Sequence, residues 1–276
     1  MKKVHEDLIN NNIKICGVSV WRIFAYFVIY SFLGYILEVL FGMITEGVIQ
    51  SRQSFMYGPF CTIYGFGAVL MLLPLKKVDS QNRIINFFLA GVIGCLVEYS
   101  VSLFGEKVLH TKWWDYTDYF LNIHGRTCLY FGILWGVLGM LLIDFINPRV
   151  DFLIEKLKEF IPKKRQKIMI ILSNLLLVVD LAVSTIAVDL YQTRAIVEND
   201  IDVIDYKRYE RHYQEIYRNE KVKNRIMATW GDEVMIKTFP NLKITDVRGE
   251  VIYLNTFYPN INNYYFKVFD KKNNTK

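Results

Sequence analysis

The chain has 276 residues, 53% of them hydrophobic and 22% charged, with a formal net charge of +6. A positive balance can mark a nucleic-acid binder, but here the basic residues gather at the ends of apolar runs, as a membrane topology requires. Cys16, Cys61, Cys95 and Cys128 stand singly, with no CxxC or His/Cys spacing, which argues against a disulfide framework and a zinc site.

Residues 1–20 read as a short cytoplasmic leader carrying Lys2, Lys3 and Lys14. No small-residue cleavage site follows the first apolar run, so that run is expected to remain as an uncleaved anchor. Crossing the hydrocarbon takes about 20 apolar residues, and runs at 21–44, 56–75, 84–104, 127–147 and 168–190 meet that need. The second begins at Tyr57-Gly58-Pro59, which reads either as a broken helix lining a cavity or as a simple Pro-initiated helix.

The first run carries Glu38, a carboxyl that hydrocarbon disfavours by about 3 kcal/mol, so it faces other helices, water or a partner. It serves either packing or an ion or solute site. Sixty positions later the pattern recurs: Phe27, Gly34, Glu38, Glu46 and Val48 are matched by Phe87, Gly94, Glu98, Glu106 and Val108. The membrane region therefore reads as two helical hairpins of one design, running parallel to each other.

Lys and Arg fall mostly in the loops shared with the amino terminus: Lys14 and Arg22, then Lys76, Lys77 and Arg83, then Arg149 to Lys167. This predicts a cytoplasmic amino terminus and an extracytoplasmic carboxyl-terminal tail. With that topology Glu38, Glu98, Arg52 and Arg126 share one depth in the outer half of the membrane. Glu38 with Arg126 and Glu98 with Arg52 are candidate pairs, as are the within-hairpin combinations, and snorkelling of the arginines to the interface is the alternative.

Between the third and fourth runs lies TKWWDYTDYFLNIHGR, residues 111–126. Trp113, Trp114, Tyr116, Tyr119 and Phe120 suit an aromatic belt at headgroup level. His110, Asp115, Asp118 and His124 match no metal-ligand spacing. Gly132 and Gly136 form a GxxxG close-packing face. Asn147-Pro148 is expected to end the fourth span, leaving 149–161 as an interfacial amphipathic helix before a basic cluster suited to anionic lipid. The last span carries Asp180 with Ser173, Asn174, Ser184 and Thr185, a polar stripe expected to face the bundle.

Residues 191–276 are polar and tyrosine-rich. A helix over Asp202–Met227 is predicted from the recurrence of Tyr206, Tyr209, Tyr213 and Tyr217. Strands are predicted at Val234–Phe239, Leu242–Val247, Val251–Leu254 and Tyr264–Phe269, with Arg248-Gly249 as a turn. The fold class is thus an all-α integral membrane helical bundle, with a two-hairpin internal repeat and a small α+β extracytoplasmic tail. No phosphate loop, dinucleotide fingerprint, GxSxG or HExxH occurs, so no cofactor is assigned, and any ATP would be bound by another chain.

Phe55-Met56-Tyr57-Gly58-Pro59 with Ile63-Tyr64-Gly65-Phe66-Gly67 form one motif. Trp113-Trp114-Asp115-Tyr116 with Asn122, Gly125-Arg126, Cys128-Leu129 and Trp135-Gly136 form a second, more specific one. Together they resemble the ABC-transporter type IV (CmpB-like) permease family of bacterial membrane proteins, over residues 25–190. Gln53-Ser54 and Thr62 depart from the Arg-Gly and Pro of the family pattern, and Arg52 falls one position early. The resemblance implies a multi-pass permease, with a separate ATPase subunit or a homo-oligomer as partners besides the lipid bilayer.

The leading reading is a permease-like protein binding a polar or ionic solute through Glu38, Glu98, Arg126, Arg52, Asn122, Asp115 and Asp180. The alternative is a non-transporting sensor or assembly partner that binds an envelope component through its outer loop and tail. An outer-leaflet enzyme using Glu38 or Glu98 as general acid/base ranks below both, because intramembrane carboxylates more often serve packing or ion binding.

Overall fold

The computed structural model describes residues 13–78, 82–108 and 114–269; the expectations for leader residues 1–12, for His110 and for Trp113 lie outside these. The described chain divides into two compact units. The first holds the residues up to Gly34, Phe60–Val101 and Asp115–Val179, and the second Tyr35–Pro59, Ser102–Trp114 and Asp180 onward.

A two-stranded hairpin, β1 (Lys14–Ile15) and β2 (Val18–Ser19), precedes the first helix, where the sequence suggested only a leader. Cys16 and Gly17 both take positive φ at its tip, the conformation that a two-residue hairpin turn demands. Helix α1 (Val20–Glu46) matches the first predicted span. Helix α2 (Thr62–Val78) starts six residues later than predicted, because the backbone through Tyr57-Gly58-Pro59 stays irregular and Gly58 adopts φ +82. Helix α3 (Arg83–Val108) follows.

Helices α4 (Leu129–Leu141) and α5 (Asn147–Phe160) form one continuous rod through a π-helical turn at Leu142–Ile146. The predicted stop at Asn147-Pro148 and a separate interfacial helix at 149–161 are therefore corrected. Proline lacks a backbone donor, and a turn of i→i+5 bonds just ahead of it shifts the hydrogen-bond register so that the rod continues. Helix α6 (Lys163–Glu198) is also longer than the predicted 168–190 and takes in the first residues assigned to the tail.

Four of these rods are long and apolar enough to cross a membrane: Val20–Glu46, Arg83–Lys107, Leu129–Phe160 and Lys163–Glu198. Only 22%, 33%, 22% and 17% of their apolar windows are buried within the protein, so most of that surface needs an apolar solvent. On α3 the exposed residues Phe88, Val92 and Leu96 fall four apart, one stripe along the helix.

The first unit closes around Tyr26, Tyr30, Met71, Leu72, Ala90, Trp135 and Leu142. Its helices approach closely at paired glycine and aromatic positions. A Cβ on Gly34 of α1 would overlap the Tyr64 side chain of α2, and one on Gly94 of α3 would overlap that of Trp135 on α4. The next residues repeat the arrangement in reverse: a Cβ on Gly65 would strike Phe27, and one on Gly136 would strike Phe87. The Tyr64 and Trp135 rings lie 5.5 Å apart.

The second unit has a core of its own, with Tyr191, Ile196, Met235, Ile236, Leu242, Ile244 and Leu254 buried together. The single helix predicted over Asp202–Met227 is two, α7 (Tyr206–Tyr217) and α8 (Glu220–Trp230). They separate at Asn219, whose side chain accepts from the backbone N–H of Lys221 and Val222 and so starts the new helix. Val234–Phe239 is corrected from strand to helix α9 (Asp232–Thr238). Asp232 and Glu233 in its first turn and Lys237 in its last suit the helix dipole, and Glu233 pairs with Lys237 at 2.6 Å.

Strands β4 (Lys243–Thr245) and β5 (Val251–Tyr253) form the predicted hairpin, with Gly249 at φ +83 in its turn. Strand β6 (Phe266–Lys267) pairs with β3 (Val48–Ile49), a partner that follows directly on α1 and that no local pattern announced.

Candidate functional site

In the first unit the most deeply buried carboxylate is Glu98, 3% exposed, which follows the apolar stretch 87–97 of α3. Its Oε1 accepts from the Tyr116 hydroxyl at 3.0 Å. Its Oε2 accepts from the Thr127 hydroxyl at 2.9 Å and from the Trp135 indole N–H at 3.4 Å. Two donors come from the loop before α4 and one from α4 itself, so the acid joins three segments of chain.

The loop is folded to deliver them. Asp115 accepts from the backbone N–H of Thr117 at 3.1 Å and from its hydroxyl at 2.5 Å, an Asx-type turn. Asn122 donates to the carbonyls of Thr117 and Tyr119 and accepts from the N–H of Gly125. Gly125 takes φ +65, and a Cβ there would meet Thr117 Oγ1 and Asp115 Oδ1 within 3 Å. The N–H of Tyr116 donates to the carbonyl of Gly125, and that of Ile123 to Thr127, closing the loop on itself. Tyr116 then stacks on Phe131 with ring centroids 4.3 Å apart.

Asp115 and Asn122 thus hold backbone, while Tyr116 and Thr127 point at Glu98. Tyr116 turns its hydroxyl to the buried acid, whereas Phe120 is 77% exposed. Arg126 donates to the carbonyl of His124 and lies over the Tyr99 ring at 5.6 Å, while the Tyr99 hydroxyl bonds His124 Nδ1.

A second polar cluster in this unit went unseen in the sequence. Asp151 of α5 pairs with Arg22 of α1 at 3.6 Å and Lys76 of α2 at 3.2 Å, and accepts from the Tyr26 hydroxyl. Arg22 also pairs with Glu155, and Tyr30 donates to Asn147, whose amide donates to Asp151. Helix continuity through Pro148 carries Asp151 to its partners on α1 and α2.

In the second unit, Glu38 is half-buried on α1. Arg52 pairs with Glu46 at 2.6 Å, and its guanidinium fills the space beside Gly42, where a Cβ would approach within 3 Å. Gln50 also bonds Glu46. Asp180 is 8% exposed, and its two oxygens accept from the backbone N–H of Tyr57 at 3.1 and 3.2 Å. The Ser184 hydroxyl, one turn on, donates to Asp180 at 3.1 Å and accepts from the N–H of Met56 at 2.6 Å. The irregular backbone before α2 therefore has its donors satisfied by the polar stripe of α6, as membrane burial requires.

Asp180→Leu with Ser184→Ala leaves two amide donors without acceptors, at a cost of about 1–3 kcal/mol each. Hydrogen exchange at Met56 and Tyr57 is expected to accelerate at least tenfold in the double variant, while exchange in α3 stays unchanged.

Long apolar helices whose exposed faces need lipid, joined through buried polar contacts, define a multi-pass membrane protein. The chain belongs to the family described as "Putative ABC-transporter type IV", whose model matches residues 25–185. No curated protein and no solved structure matches it.

Proposed function

We propose that the protein is the membrane subunit of a permease in which Glu98 is the ion- or solute-responsive site. What supports this is a carboxylate 3% exposed in an apolar helix and surrounded by the hydroxyls of Tyr116 and Thr127 and the indole N–H of Trp135. Intramembrane acids are expensive and mark ion and solute paths. Family membership points the same way. The energy comes from a gradient or from a separate ATPase subunit, since this chain carries no nucleotide-binding motif.

In this reading Asp115 and Asn122 hold the loop that presents Tyr116 and Thr127, and Asp180 holds the irregular segment before α2. Arg126, over the Tyr99 ring, supplies a further charge in the unit that holds Glu98. Segment 50–61 and the 17 residues of α2 complete a fifth crossing. The amino terminus is cytoplasmic and the tail extracytoplasmic, in keeping with Arg22, Lys76 and Arg83 meeting carboxylates at one set of helix ends. The matched contacts of Gly34 with Tyr64 and of Gly94 with Trp135 support descent of the two hairpins from one unit.

Dicyclohexylcarbodiimide, an apolar reagent that modifies protonated carboxyls, tests the role of Glu98 without knowledge of the solute. The reconstituted protein is expected to gain one adduct at Glu98, and Glu98→Gln should abolish it. A Glu98 that stays unmodified is a static packing residue, and the proposal fails. The alternative of a sensor or assembly partner draws on the independent core of the second unit and would then lead.

A further inference from the structure

The carboxyl-terminal strand β6 carries an apolar surface that has no use in water. Tyr265, Phe266, Val268 and Phe269 are 53%, 69%, 51% and 45% exposed, four large apolar side chains within five residues. Isolated exposed apolar residues are ordinary, but a run of this kind at the edge of a two-stranded ribbon invites aggregation unless something covers it.

What covers it follows from its partner strand. Val48 pairs with Lys267 and Ile49 with Phe266, and the N–H groups of Val268 and Phe269 both donate to the carbonyl of Gly47, at 2.8 and 3.2 Å. A Cβ on Gly47 would lie 2.9 Å from the Phe269 ring, so that ring rests on the residue directly after α1. Helix α1 has 27 residues, a rise of about 40 Å, which matches the ~40–45 Å of a bilayer with its headgroup layers. Its last residue, Glu46, therefore lies at one headgroup surface, and β3 begins two residues later.

The lipid-facing side of α1 also runs up to this point, with Leu40, Phe41 and Ile44 all exposed. The aromatic strand continues that apolar face at the depth where tyrosine and phenylalanine rings partition between headgroup and acyl chain. We propose that β6 is an interfacial anchor: residues 265–269 lie in the headgroup layer of the same membrane that α1 crosses, and hold the carboxyl-terminal unit down on the lipid surface. The occupant of the patch is phospholipid.

The anchor can be read by nitroxide accessibility in the full-length protein in phosphatidylcholine vesicles. In a Cys16→Ser background, which removes the exposed cysteine among the four, Phe266→Cys and Val268→Cys are labelled one at a time. Ile204→Cys, on the same unit and 80% exposed, is the aqueous reference. Oxygen, which concentrates in lipid, is expected to relax the labels at 266 and 268 several-fold more than a water-soluble nickel chelate, with the reverse order at 204. Phe266→Trp keeps an aromatic ring, and its added fluorescence should be quenched by acyl chains brominated near the headgroup. Labels at 266 and 268 that behave like 204 place the strand in water and overturn the proposal. Labels inaccessible to both reagents indicate a protein partner on the patch and overturn it equally.

Discussion

Asp232→Asn is expected to destabilise the carboxyl-terminal unit by about 3–5 kcal/mol, because it strands a buried guanidinium. Arg194 sits on the extension of α6 with its side chain 1% exposed, and Asp232 is its carboxylate partner, with Nε and Nη2 donating at 2.9 and 2.6 Å. The remaining contacts of Arg194, the Tyr217 hydroxyl at 3.0 Å and the Trp230 carbonyl at 3.2 Å, are neutral. Tyr191 and Tyr217 present ring faces to the same cation at 5.6 and 6.0 Å.

Arg194→Met should cost less, since it leaves Asp232 19% exposed at a helix amino terminus, where a carboxylate is welcome. A double-mutant cycle in urea, with tail unfolding followed by limited proteolysis of the full-length protein in detergent, separates the two effects. An Asp232→Asn cost below that of Arg194→Met would refute the view that the cation's burial sets the stability of this unit.

Gly94→Ala is expected to lose about 1–3 kcal/mol of membrane-domain stability, and Gly34→Ala a similar amount, because each new methyl collides with side-chain atoms that cannot swing away. The colliding atoms at Gly94 are the Cβ, Cγ and Cδ1 of Trp135, and at Gly34 the Cβ, Cγ and Cδ2 of Tyr64, all rooted next to the helix backbone. Gly67→Ala is the control, since a Cβ there meets nothing within 4 Å, and it should be neutral or slightly stabilising. Unfolding in mixed micelles of increasing SDS fraction gives the comparison. Because Trp135 also donates to Glu98, Gly94→Ala should in addition slow the carbodiimide reaction or spread it to other residues, an effect Gly34→Ala should not share. Equal behaviour of all three glycine variants would remove the close approaches as a source of stability.

The recurrence of Gly34 and Glu38 sixty positions on, as Gly94 and Glu98, was visible in the sequence because a glycine and an acid stand out against apolar helix. What each of them touches was not. Tyr116 and Trp135 belong to motifs that could be quoted from the sequence, yet their shared partner, Glu98, lies 18 residues before one and 37 before the other. Thr127 carried no signal at all, because a single hydroxyl near an apolar run is compatible with many environments. Likewise the polar stripe of Asp180 and Ser184 was legible as facing protein, while its object, the amides of Met56 and Tyr57, lies more than a hundred positions away. The errors were local contests: Asn147-Pro148 looked like a helix end until a π turn carried the rod past it, and the apolar Val234–Phe239 looked like a strand until Gly231 and two acids started a helix.

The sequence by itself determined that this protein has helices long and apolar enough to cross a membrane, and which of their residues are too costly to leave in lipid. Those properties follow from the length and composition of contiguous segments, since hydrocarbon tests every residue against the same solvent. Only the tertiary structure decided which donor meets Glu98, which amides meet Asp180, that Arg194 is clamped by Asp232, and that β6 pairs beside the end of α1. A hydrogen bond depends on two groups arriving within about 3 Å, and that is settled by how helices pack and loops close.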